Sequence, residues 1–291
     1  MAELIASLVP AAKPEKAVRT SNRRRRAISL AVALGAILIA VLVAGLTMPP
    51  EFYASDFSQK QQAPNAAHWF GTDFLGHDMF CFSVRGLALS IVIGLFASAV
   101  SGFVALLLGS LSAICGGWVD KVVLWLADLL MSIPHMVMLL LISFSVGGGT
   151  FGVVLAVALT HWPSLTRVIR AEVLRIRTGE FVAASRAVGK SNLWIAWHHV
   201  VPNVMPQFIV GTILLFPHAI LHESALTFLG FGLPLDSPAI GAILSSSMKY
   251  LATGAWWLAL FPGLMMVAIV LLTFTLGDEI KQLTDPHTVQ E

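Results

Sequence analysis

The chain has 291 residues, of which 57% are hydrophobic and only 12% charged, with a mean hydropathy of +0.82. Soluble domains carry about 25% charged residues, so a chain this apolar has too little polar surface to cover itself in water; an ordinary cytosolic domain and a disordered protein are both excluded. The net charge of +2 says little by its total, and its distribution along the chain says more.

In chain order, residues 1–26 form a basic arm holding Lys13, Lys16, Arg19 and Arg23 to Arg26. Ala27 to Thr47 follow without a charge. That stretch spans about 30 Å as a helix, enough to cross a bilayer. A cleaved signal peptide has an apolar core of only about 7–15 residues, so an uncleaved first span is expected. Residues 48–86 read as a loop. Five further apolar blocks lie near 87–115, 122–146, 151–171, 203–231 and 255–276. Polar or Gly-rich breaks separate them at 116–121, at Gly147-Gly148-Gly149, over 172–202 and over 232–254. Runs this long predict helices, since barrel strands are short and alternating. The expected fold class is therefore all-α, a polytopic membrane protein with six transmembrane helices. The core of five spans would occupy 87–288 and include a cytoplasmic loop over 172–202.

Six spans place both termini on one side. Of the 18 Lys and Arg residues, only Lys60, Arg85 and Lys249 fall on the other side. Positive charge collects on the cytoplasmic side, so both termini are expected there, with 48–86 and 232–254 outside. Trp256, Trp257 and Phe261 suit the outer interface. Cys81 and Cys115 have no metal-type spacing and read as two free thiols.

No nucleotide site is visible. Gly189-Lys190-Ser191 mimics the end of a phosphate loop, but Ala184 stands where the pattern needs a Gly, and Glu180 to Val188 reads as helix rather than strand-turn. That short helix gathers Ala183, Ala184 and Ala187 before Gly189, which can stop it. Small side chains let a partner approach the backbone closely, with Arg186 and Lys190 at the rim. The plainer reading is an interfacial connector between two spans.

Several motifs occur in a consistent order: His68-Trp69-Phe70-Gly71-Thr72-Asp73-Phe74-Leu75-Gly76-His77-Asp78; Asp128 to Pro134; Glu180 to Gly189, then His199 to Asn203; Phe228 to Gly232; and Gly277-Asp278 with Asp285-Pro286. Together they resemble permeases of ATP-binding-cassette importers, in the dipeptide/oligopeptide/nickel branch and closest to its nickel-type second permease. His77 replaces the branch's usual Arg, and Ala183 stands where its coupling signature often has an acid or first Ala. The resemblance covers roughly residues 27 to 288.

The resemblance implies an importer permease fold in a bacterial inner (cytoplasmic) membrane. This chain would pair with a second permease subunit as a heterodimer. Two ATP-binding-cassette ATPase subunits and an extracytoplasmic solute-binding protein would complete the assembly, with lipid around it and no nucleic acid. ATP and Mg would sit on the ATPases, with no cofactor on this chain and no catalysis by it. Glu180, Phe181, Ala183, Ala184, Ser185, Arg186, Gly189 and Lys190 would couple to the ATPases. Gly71, Thr72, Asp73, Gly76, His77 and Asp78 form the outer-loop motif, expected to be largely structural.

For the cargo, ionisable groups inside a membrane are costly and usually line a cavity or pair. His218 and His222 are four apart on one predicted helix face, with Glu223 about 100° away and His161 on the preceding span. Imidazole suits nickel, copper and zinc. The nickel-type relative resembles this chain at these histidines, so His161, His218, His222 and Glu223 are the expected path residues and nickel or a related metal complex the expected cargo. A dipeptide or oligopeptide cargo, with these histidines packing between helices, is the alternative. His68 and His77 could greet a metal or contact the binding protein. Met131, Met136 and Met138 read as packing, and Asp128 as a structural pair or cap.

Overall fold

The computed structural model describes residues 20–284, the side chains of 20–24, 192 and 193 excepted. Lys13, Lys16 and Arg19 of the basic arm and the Asp285-Pro286 motif lie outside the described residues. Among the described residues the chain is helical, with no strand and an isolated bridge between Thr72 and Asp78.

The helices are α1 (Thr20–Thr47), α2 (Met79–Cys115), α3 (Gly117–Ser132), α4 (His135–Ser145), α5 (Gly149–Thr160), α6 (Trp162–Arg177), α7 (Glu180–Ala187), α8 (Asn192–Ile195), α9 (Val201–Phe228), α10 (Ile240–Met248) and α11 (Trp257–Thr284). A π-helical stretch, Ala196–Val200, leads into α9.

Five segments are long and apolar enough to cross a bilayer: Arg25–Thr47, Met79–Cys115, Gly149–Arg177, Ala196–Phe228 and Trp257–Thr284. The sixth expected block, 122–146, is not one straight helix. It divides into α3 and α4, bent by 98°. The cause is local: Pro134 disfavours the helical region for the residue before it, and Ile133 is extended at φ −87°, ψ 137°.

α2 is the central post. It begins at Met79, ahead of the apolar block, because the Asp78 carboxylate caps it by accepting from Phe80 N and Cys81 N at 3.0 Å each. At 37 residues it is about 55 Å long, more than a hydrocarbon core is thick. α1, α6 and α9 pack along it. Close approach depends on small residues. A Cβ on Gly109 would stand 2.8 Å from the Thr166 carbonyl oxygen and 2.9 Å from Ile169 Cβ, so only glycine lets α6 lie this near.

Three apolar clusters fill the bundle. Met79, Leu87, Ile91, Phe216, Ile220 and Leu258 join α2, α9 and α11 near the α2 N-terminus. Ile93, Ala97, Leu139, Val153, Val157 and Leu226 bring in α4 and α5. Ala105, Ala113, Trp162, Leu165, Ile169 and Val204 close the far end with α6, and Val182 of α7 is plugged into this third cluster.

Two cations cap helix C-termini, where unpaired carbonyls carry partial negative charge. Arg85 Nη1 donates to the Gly45 carbonyl at 2.8 Å and lies over Tyr53. Arg177 Nη1 donates to the Ala113 and Ile114 carbonyls. The second contact ties the end of α6 to the end of α2, so α7, which follows, sits at the opposite end of α2 from residues 68–78.

Candidate functional site

The outer-loop motif folds on itself. Thr72 is fully buried; its Oγ1 donates to the Gln59 carbonyl at 2.5 Å and accepts from Gln62 N at 2.9 Å. Asp73 Oδ1 accepts from Leu75 N and His77 N at 2.8 Å each, and Oδ2 accepts from His77 Nδ1 at 2.7 Å. The His77 ring lies flat on Phe82, centroids 4.4 Å apart. Nδ1 of His68 donates to Asp78 Oδ2 at 2.7 Å. Gly76 has φ +86°, and a Cβ there would collide with the Asp56 carbonyl. Gly71 likewise has φ +70°. The side chains of Thr72, Asp73 and Asp78 and Nδ1 of His77 thus bond to loop backbone, to the start of α2 or to a neighbouring side chain. The loop docks on the α10–α11 end of the bundle: Phe70 stacks on Phe261 and Phe74 on Tyr250, both at 4.6 Å.

At the opposite end, α7 presents a different surface. Val182 is fully buried and anchors the helix, and Ser185 Oγ meets His199 Nε2 at 2.8 Å. Glu180, Phe181, Ala183, Ala184, Arg186, Ala187, Gly189 and Lys190 are all exposed. Gly189 takes the left-handed φ of +78° that ends the helix. The Lys190 ammonium rests over Trp194, 4.9 Å from the ring centroid. A small-residue helix held by one buried valine, open on its other faces, can receive a second protein surface.

Between these ends, acidic and basic side chains pair across helices. Asp120 takes Arg170 in a two-pronged contact of 2.5 and 2.7 Å, with Ser112 on the same carboxylate. Asp128 pairs with Arg167. The expected structural role of Asp128 matches this position.

The four expected path residues fall in three places. His161 ends α5, and His222 lies in α9; their rings are 5.1 Å apart. A third histidine completes the group. His135, the first residue of α4, stands 4.8 Å from His161 and 4.7 Å from His222, ring centre to ring centre. One ring nitrogen from each of the three falls within 4.8 Å of the others. His218 is exposed one turn earlier on α9 and sets its ring edge against Phe274 of α11. Glu223 is fully buried on another face, where Ser90 Oγ (2.6 Å), Ser224 Oγ (3.2 Å) and Thr227 Oγ1 (3.0 Å) donate to its carboxyl oxygens.

Sequence reasoning passed over His135. The only signal was its place directly after Pro134, where the helix breaks. Helical spacing could not link it to His161 or His222, because the three come from separate segments.

Broken and bent spans about a central helix, an inturned loop at one end and an open small-residue helix at the other describe a multi-pass helical membrane protein. The chain belongs to the family of binding-protein-dependent transport system inner membrane components, which it matches over residues 105–289. It is 32% identical over 259 residues to the dipeptide transport system permease protein DppC of Alkalihalophilus pseudofirmus, covering 89% of this chain and 84% of that protein. It is 30% identical over 259 residues to the oligopeptide transport system permease protein OppC of Bacillus subtilis, covering 87% and 84%. Among solved structures, the inward-facing MetNI methionine ABC transporter superposes with a TM-score of 0.56 over 71% of this chain and 98% of the compared one, at 20% identity, which is a likeness of fold. The two permease relatives are named for peptides and the solved transporter for methionine; none of the three is named for nickel.

Proposed function

We propose that this chain is one of two permease subunits of an ATP-driven importer of short peptides in a bacterial inner membrane. The observation that carries the reading is the relation, over 87% or more of this chain, to dipeptide and oligopeptide permeases at 30% identity or more. In this reading both termini and α7 face the cytoplasm, and the 48–78 loop faces the solute-binding protein. Two separate ATPase subunits hold ATP and Mg beneath α7 and its counterpart. Their closure pushes α7; Val182 transmits the push into the α6–α9 cluster, and the spans rock as packed bodies about a central path. The chain itself turns over nothing.

The test is uptake of a labelled dipeptide by proteoliposomes holding this chain with its second permease, ATPases and binding protein. Uptake that requires internal ATP and every subunit is expected. Accumulation by this chain alone, or without ATP, would overturn the reading. Nickel or another metal complex is the second reading of the cargo, favoured by the grouped His135, His161 and His222. Labelled Ni2+ in the same vesicles separates the two.

A further inference from the structure

Three part-buried histidines from three different segments meet, none of them needed to explain peptide passage. His161 is the most informative. Its Nδ1 lies 2.9 Å from the Val157 carbonyl oxygen, which can only accept, so Nδ1 carries the proton. In the neutral ring the lone pair is then on Nε2. That nitrogen is buried without a hydrogen-bond partner. The Nε2 atom of His135 is likewise buried and unpartnered. Buried polar atoms are nearly always satisfied, and two orphaned ring nitrogens in one cluster point to a missing partner.

The bonding of His161 is the arrangement that metal-binding histidines use: one ring N–H donates to a backbone carbonyl, fixing the tautomer and turning the other nitrogen to the ion. Ligand nitrogens in a tetrahedral site with bonds of about 2.0–2.1 Å lie about 3.4 Å apart. One ring nitrogen of each of the three lies within 4.8 Å of the others, so ring rotations that move them by little more than an ångström close the set. Imidazoles without thiolate or carboxylate suit nickel, copper, iron and zinc rather than magnesium or calcium.

We propose that His135, His161 and His222 form a three-imidazole site for a divalent transition-metal ion, Ni2+ or Zn2+, with at least one coordination position left open. The set is neutral and uncharged, so the open positions suit water or a carboxylate that comes with the ion. An ion held there ties α4, the α5–α6 junction and α9 together. Glu223, enclosed by its three hydroxyls, is outside the ligand set. The proposal does not depend on the peptide reading, since binding is read without transport.

The experiment uses the full-length chain, freed of any affinity tag, in lipid nanodiscs. Equilibrium dialysis against Ni2+, and separately Zn2+, is expected to give about one ion per chain. X-ray absorption at the nickel edge is expected to show histidine-ring scattering. His135→Gln and His222→Gln each weaken binding at least about tenfold, because loss of a ligand costs no less than loss of an outer partner. His198→Ala, an exposed histidine outside the cluster, leaves binding unchanged. A measurement free of variants accompanies these: Ni2+ protects His222 from diethyl pyrocarbonate in the unaltered chain, read by peptide mass. Substoichiometric uptake of both ions, undiminished binding in His135→Gln, or labelling of His222 indifferent to Ni2+ would each overturn the site.

Discussion

Glu223 and Asp73 are carboxyl groups doing different structural work. Asp73 organises a turn through backbone N–H groups, while Glu223 gathers three hydroxyls in the bundle interior. Removing Glu223 takes away the acceptor for the buried hydroxyl protons of Ser90, Ser224 and Thr227. Glu223→Ala should therefore cost about 1–3 kcal/mol and lower the thermal unfolding midpoint in detergent. Glu223→Gln, which keeps an acceptor for the serines and a group Thr227 can pair with, should stay close to the unaltered protein. Equal midpoints for Ala and Gln would sink this account. The position of Glu223 relative to His222 followed from helical spacing. What its face meets did not, because spacing along one helix says nothing about the helix packed against it.

Among the elements, α7 was legible before any coordinates. Its alanines and the glycine after it are local features, and the structure leaves them exposed on a helix held by Val182. If this face docks an ATPase, bulk there should block coupling without harming the fold. Ala184→Trp is expected to leave the thermal midpoint unchanged and to lower ATP-dependent uptake at least about tenfold, the effect of roughly 1.4 kcal/mol of lost docking. Wild-type uptake by that variant would remove α7 from the coupling path. The bend between α3 and α4 was half legible. Pro134 announced an interruption, but hydropathy alone carried the apolar block straight through it. A window of averaged side chains cannot see a turn of the backbone.

Across the molecule, the two ends of α2 carry different machinery. The loop reaching Asp78 packs on α11 at one end, and Arg177 ties α6, and with it α7, to the other. The charge asymmetry predicts the α7 end on the cytoplasmic side. In a Cys81→Ala, Cys115→Ala background, Lys190→Cys should react with an impermeant maleimide only in inside-out vesicles, and Lys60→Cys only in intact cells or right-side-out vesicles. The reverse pattern would invert the topology and with it the importer reading.

The helical class, the apolar segments and the short small-residue helix α7 followed from residue order, since each rests on short-range pattern: apolar length, charge bias or spacing within one turn; the outer-loop motif was read from the family resemblance. The turning of His218 towards Phe274 and the meeting of His135 with His161 and His222 were settled by packing. Those contacts join segments distant along the chain, and which faces meet depends on where small residues such as Gly109 allow backbones to close on one another.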